Sequence, residues 1–261
     1  MIELTVDEFQ RVAPLFDAYH GLRPAIYSVL EGRQAGRVFV DRADRPRAAL
    51  MWSDAFYLAG EARSATIRAG LRSLLDSPAR RTEYNLIFAV PGRWQGALSQ
   101  LLAPLGGEPL VRSIYALDVA AFRALPERPL PRGYSLQPLD ERTAAQAGGM
   151  PELWGSVARF MAEGVGYCVL HGEAFASSSQ TVFVGDGRAE IGVGTREPYR
   201  RQGLGRAAAR ATITACLERG LTPEWGCMYN PISGAMAASL GFVPRPDLPF
   251  YLVRPREPLK V

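Results

Sequence analysis

The second half of the chain carries the clearer alternation of apolar and polar positions. Tyr134 to Pro138, Gly166 to Leu170 and Ala174 to Val184 read as strands, the last rich in Ser, Thr and Val. Gly185-Asp186-Gly187 supplies the left-handed positions of a hairpin turn. Arg188 to Thr195 then continues as a strand with period two. Ile191, Val193 and Thr195 fall on one face, Glu190, Gly192 and Gly194 on the other. An alanine-rich stretch from Gly203 predicts a helix to about Arg219, ended by Gly220. Further helices are expected over 152–163 and 233–240, and strands over 224–228 and 250–253.

The first half repeats this order more faintly. Strands are expected at Arg37 to Asp41 and Arg47 to Trp52, then a helix from Ala62 to Leu75. A strand at Asn85 to Val90, a helix at Trp94 to Ala103, a Gly106-Gly107 break and a strand at Leu110 to Leu117 complete it. Between the halves, Leu125 to Gly133 holds three prolines and a glycine, which can propagate neither a helix nor a central strand. The predicted division is therefore 1–125 and 132–261, a weak internal duplication.

Composition narrows the class. The 261 residues are 48% hydrophobic and 21% charged, enough for a packed core. The net charge of +4 suggests a nucleic-acid partner, but the basic residues are spread along the chain among 26 acids rather than massed in one patch. No nucleic-acid partner is expected. Three cysteines without a CxxC pair, and only two histidines, argue against a disulfide scaffold and a metal site. The acidic start resembles no secretion signal, and no apolar run reaches membrane-helix length. These features point to a soluble cytoplasmic protein.

The chemistry is concentrated in Arg200-Arg201-Gln202-Gly203-Leu204-Gly205-Arg206, where a strand passes into the alanine-rich helix. Two glycines let backbone approach a ligand, and the first helical turn offers unpaired N–H donors to an anion. A phosphate or pyrophosphate is the expected ligand. No lysine and hydroxyl follow as in a nucleotide P-loop, and the loop has one GxG rather than GxGxxG. Taken alone, the loop is also compatible with an arginine-decorated helix start that binds nothing.

Its surroundings are more specific. Ala189 through Gly205, a strand and turn followed by [Q/R]xxGx[G/A], resembles the motif of the GNAT superfamily of acetyltransferases. Trp225-Gly226-Cys227-Met228-Tyr229-Asn230-Pro231-Ile232-Ser233, closing on Leu240-Gly241-Phe242, resembles that family's later strand, turn and helix. The resemblance covers about residues 132–261. It implies a GNAT fold of the α/β (α+β) class, a mixed and mostly antiparallel sheet flanked by helices, in tandem with a degenerate GNAT-like domain over 1–125. It also implies acetyl-CoA as co-substrate, no metal, and a primary amine of a small molecule or peptide as acceptor. An oligomer and a membrane-free protein are both compatible with it.

By position, the resemblance assigns the coenzyme A pyrophosphate to Arg200, Arg201, Gln202, Gly203, Leu204, Gly205 and Arg206. It assigns the pantetheine arm to the strand ending at Thr195, with Asn230 and Ser233 near the thioester. Glu190 is the expected base, because an ammonium must lose a proton before it attacks. The family's usual acid, a tyrosine on the last helix, falls on Ala237. Tyr229, Ser233 and Tyr251 are the substitutes, Tyr229 foremost. The missing tyrosine keeps a second reading open, a GNAT-fold protein that binds or senses acyl-CoA without turnover. In the first half, the stretch Ser53 to Arg63 has one glycine and places Asp54 and Glu61 near a helix start, which would repel a pyrophosphate.

Overall fold

A computed structural model describes residues 1–90, 92–148, 153–228 and 230–257. Its frame is one mixed sheet of twelve strands. The first half supplies β1 (Ile2–Glu3), β2 (Arg37–Val40), β3 (Ala48–Trp52), β4 (Phe56–Gly60), β5 (Asn85–Ala89) and β6 (Glu108–Leu117). The second half supplies β7 (Tyr134–Pro138), β8 (Gly166–His171), β9 (Ala174–Gly185), β10 (Arg188–Thr195), β11 (Thr222–Met228) and β12 (Phe242–Val253). Their order is β1-β2-β3-β4-β5-β12-β6-β11-β10-β9-β8-β7. Two neighbouring pairs are parallel, β4 with β5 and β10 with β11, each joined by a helix crossing one face.

The order carries an exchange. β6, last of the first half, pairs with β11 of the second, and β12, last of the second half, pairs with β5 of the first. The two exchanged strands also pair with each other along most of their length. β12 is longer than the expected 250–253 because three prolines disguise it. Only Phe250 to Val253 has β5 as a neighbour, so Pro244, Pro246 and Pro249 lie where that edge is free, and a bulge absorbs Pro246 and Asp247.

Both faces of the sheet are covered. The helices α1 (Ala13–Phe16) and α2 (Arg23–Leu30) lie on one face. Their core takes Ala49 and Met51 from β3 but also Ile114, Phe183 and Phe250 from strands on the far side of the exchange. On the other face, α3 (Ala65–Leu75) and α5 (Gln95–Leu102) cover the first half through Leu50, Leu58 and Ile87; the short α4 (Pro78–Arg81) lies between them in sequence. Ala48, Ala49, Leu50 and Met51 are all buried and alternate between these two cores, as a strand covered on both faces requires. The first-half helices also grip the second half directly. Gly185 has no side chain where α2 backbone crosses it, since a Cβ there would sit 2.4 Å from Ser28 N.

Further α-helices among the described residues are α6 (Val119–Arg123), α7 (Glu141–Ala144), α8 (Val157–Glu163), α9 (Leu204–Glu218) and α10 (Pro231–Ser239). Three expectations need correction. The helix expected over 152–163 is broken in two: Glu152 lies outside the described residues, Leu153 and Trp154 are helical, and Gly155, with φ +74°, interrupts the run before α8, which the Ser156 side chain caps by accepting from Arg159 N. The first-half helix expected from Ala62 starts at Ala65, where Ser64 Oγ accepts from Ile67 N. The stretch after Trp52 is not a loop into that helix: β4 intervenes, so Asp54 sits in the turn between β3 and β4, away from the helix start.

Candidate functional site

β10 and β11 stay together for three residue pairs only, Arg188–Glu190 with Thr222–Glu224. Beyond them β10 runs on through Ile191 to Thr195 against β9 alone, and β11 runs on through Trp225 to Met228 against β6 alone. The sheet therefore opens as a wedge with unpaired backbone groups on both facing edges, a ready pairing surface for an extended polar chain. Gly194 borders it with nothing within 4 Å of a would-be Cβ. Gly192 serves packing instead: its missing side chain makes room for Val182, whose Cγ2 would be 2.6 Å from a Cβ. In the first half, β4 pairs with β5 from Phe56 to Leu58 and ends two residues later, so no comparable wedge forms there.

The mouth of the wedge leads to the start of α9. Arg201 (φ +61°) and Gly203 (φ +80°) turn the chain, and Gly203 is the N-cap. The first amide of the helix to bond back is Ala207, to Gly203 O at 3.0 Å, which leaves the preceding amides facing outward. Gly205 brings this turn against β10, since a Cβ would lie 2.9 Å from Thr195 Oγ1 and 3.1 Å from Val193 Cγ1. Thr195 is held by Ser177 (Oγ to Oγ1, 2.8 Å), and Arg200 Nε donates to Thr195 O at 3.3 Å. Gln202 accepts from Tyr134 OH at 2.8 Å. Leu204 is buried against Val169, Ala176 and Ala208, anchoring the loop. Arg206 Nη2 donates to Ser239 O at 3.1 Å.

Glu190 closes the other end of the wedge. It is buried, and its Oε1 accepts from Arg112 Nη2 of β6 at 2.5 Å. Arg112 reaches it across β11 because Gly226 lacks a side chain; a Cβ there would lie 2.7 Å from the guanidinium. Burial pushes the Glu190 carboxyl up, with the Arg112 charge opposing and the Asp54 charge adding to the rise. Glu224 lies beside it and pairs with Arg188 Nη1 at 2.5 Å.

The second motif is placed more variously. Asn230 Oδ1 accepts from Ile232 N at 3.1 Å and Ser233 N at 3.2 Å, capping α10. Ser233 Oγ accepts from the Trp225 indole at 3.0 Å. Tyr229 lies outside the described residues. Tyr251 is on β12 opposite Ile87 of β5, and both β6 and β11 separate it from the wedge, so it is no substitute acid. Ala237 is fully buried. Tyr115 of β6, unforeseen in the sequence, reaches α10 at Gly234, where a Cβ would lie 2.6 Å from its hydroxyl. Arg112 was likewise missed; Gly226, a bare residue inside a strand, was its one sequence signal. Among the described residues no helix is long and apolar enough to cross a membrane, and no group of three His, Cys, Asp or Glu side chains could hold a metal.

Comparison with known proteins agrees with this geometry. The family model described as GNAT acetyltransferase matches residues 14–251. An uncharacterized N-acetyltransferase of Bacillus subtilis, YdfB, is 27% identical over 92% of this chain and 94% of its own length. A GCN5-related N-acetyltransferase-like protein of Streptococcus suis has the same fold at TM-score 0.70, with 23% identity over 95% of this chain and 99% of its own. A tandem GNAT protein from the clavulanic acid biosynthesis pathway superposes at TM-score 0.63 with 16% identity, covering 97% of this chain and 98% of its own.

Proposed function

We infer the function from one premise: the chain belongs to the GNAT acetyltransferase family. On that premise we propose an N-acetyltransferase that moves an acetyl group from acetyl-CoA to a primary amine of a small molecule or peptide. Residues 132–261 hold the cofactor, and residues 1–125 are a degenerate, cofactor-free copy. The observation that carries the reading is the wedge between β10 and β11, which runs straight into the outward amides of Arg201 to Arg206. An extended arm ending in a pyrophosphate fits those two features together: sheet-like pairing along Ile191 to Thr195, then donors and a helix N-terminus for the anion. Acetyl-CoA would supply an activated acyl thioester there.

The chain's own residues then have distinct tasks. The amides of the loop bind, and Gly205 lets them approach β10. Arg112 orients Glu190 and keeps it from being an isolated buried charge. Glu190, with a carboxyl pushed up by burial, accepts a proton from the incoming ammonium, directly or through water. The acceptor enters on the sheet face of α1 and α2, so the first half walls its approach and contributes Arg112 through the exchanged strand.

The test is acetyl-CoA binding by calorimetry, followed by thiol release with a panel of primary amines. Binding with amine-dependent release supports transfer; no binding sinks the reading. A second reading, an acyl-CoA sensor without turnover, is favoured by one observation, the fully buried Ala237 where the family often carries its tyrosine. Tight binding with no thiol release under any amine would select it.

A further inference from the structure

Among the described residues three amide side chains are buried, those of Gln34, Asn85 and Gln180. Gln34 Nε2 donates to Leu153 O and Val182 O, both at 2.9 Å. Asn85 Nδ2 donates to Arg80 O at 2.8 Å and to Glu83 O at 2.9 Å. Each of those amides braces two backbone carbonyls. Gln180 braces nothing. It is 8% exposed, its Oε1 is buried without a partner, and its amide makes no hydrogen bond with any described residue.

Gln180 stands on β9 between two glycines, in register with Gly166 of β8 and Gly192 of β10. A Cβ on Gly166 would meet Leu139 Cδ1 at 2.5 Å and Phe160 Cζ at 3.1 Å, so apolar groups close that side. On the other side Val182, the extra residue of a β9 bulge, covers Gly192, and Gln180 Nε2 lies 4.0 Å from where a Gly192 Cβ would be. Gly192 belongs to the stretch of β10 that borders the wedge. The period of two puts Gln180 on the same face as Glu190, which precedes Gly192 by two residues. Diagonal neighbours on one face of a sheet are within reach of long side chains. Two acceptor groups, a carbonyl and a carboxylate, thus flank Gly192 at the closed end of the wedge. Arg112, the cation on this face, is already committed, with Nη2 on Glu190 and Nε over Gly226.

A buried amide with no partner opposes folding, because its desolvation is uncompensated. A ligand N–H would supply the missing bond. An alkylammonium has a hydrogen for each group, one for Glu190 to remove and another for the amide carbonyl. We propose that Gln180 positions the attacking amine, its Oε1 accepting one N–H of the nitrogen while Glu190 takes the proton from another. The role rests on the N-acetyltransferase reading above. It selects amines over alcohols and thiols, whose single O–H or S–H cannot serve both groups.

The experiment compares the parent with Gln180→Met and Gln180→Glu, using whichever n-alkylamine or α,ω-diamine supports the fastest thiol release. In Gln180→Met the KM for the amine should rise about tenfold or more, as loss of a hydrogen bond to a charged group implies, with kcat within about threefold. Acetyl-CoA affinity by calorimetry should stay at the parent's value. The Tm should rise by about 2–4 °C, because an uncompensated amide leaves the core. Gln180→Glu keeps a carbonyl at the same reach and should recover most of the loss in KM. An unchanged KM in Gln180→Met overturns the role and leaves acetyl transfer standing. A lower Tm or a weakened acetyl-CoA affinity in that variant makes the amide structural and also overturns it. So does a Gln180→Glu protein as impaired as Gln180→Met. A parent that releases no thiol with any amine removes the transfer reading and this role together.

Discussion

Arg112 and Glu190 meet across an intervening strand: the guanidinium on β6 passes over Gly226 of β11 to reach a carboxylate on β10. One belongs to the first half of the chain and the other to the second. Removing Arg112 as Arg112→Met should cost about 3–5 kcal/mol at neutral pH, the range for stranding one partner of a buried pair. The sign with pH is set by Glu190, whose folded pKa lies above its unfolded one. The folded state then holds the extra proton, so stability is retained below the unfolded pKa and declines as pH rises through the folded value. Denaturation at a series of pH values should show the Arg112→Met deficit shrinking toward acid; a deficit independent of pH would contradict the pairing.

Glu190→Gln should leave acetyl-CoA affinity intact while turnover falls about 10²–10⁴-fold, the usual worth of a general base. In the parent, kcat should rise with pH along a limb set above the ordinary carboxylate range. That limb should move to still higher pH in Arg112→Met, provided the variant folds. A loss under about threefold in Glu190→Gln would assign the proton to another group.

Gly205→Ala tests the approach of the loop to β10. Its methyl would meet Thr195 Oγ1 at 2.9 Å and Val193 Cγ1 at 3.1 Å, pushing the helix start outward. Acetyl-CoA affinity should fall about tenfold or more, out of proportion to a small change in Tm. Gly205→Glu, which adds a like charge, should abolish binding. Calorimetry showing parental affinity in a folded Gly205→Glu protein would take the loop out of the site.

The exchanged strands predict that neither half completes its sheet alone. Residues 132–261 would lose β6, among the described residues the one strand that pairs with β11 beside the wedge, and the main partner of β12. Expressed separately they should aggregate or fold poorly, and co-expression with residues 1–125 should recover a soluble complex. A well-dispersed NMR spectrum from isolated monomeric 132–261 would show that the exchange is dispensable.

Stoichiometry should be one coenzyme A per chain. The first half has no wedge between β4 and β5, and Ser64 Oγ already accepts from Ile67 N at the start of α3. Two bound molecules per chain by calorimetry would refute a cofactor-free first half.

The sequence alone determined the features that depend on neighbours in the chain. Gly203 and Gly205 at a strand-to-helix turn, the alanines of α9, and the alternation from Arg188 to Thr195 are local, and each took the expected form because backbone geometry and capping act over a few residues. Only the tertiary structure decided what those residues face. Pro244, Pro246 and Pro249 argued against a strand until the free edge of β12 made room for them. Only the fold shows that the Asn230 oxygen caps α10 and that the Ser233 oxygen accepts from the Trp225 indole. Arg112 gained its role because β6 crossed into the other half's sheet, a pairing between residues 78 apart in the chain. Such contacts are chosen by the burial of whole faces and the matching of distant strand edges, which no window along the sequence contains.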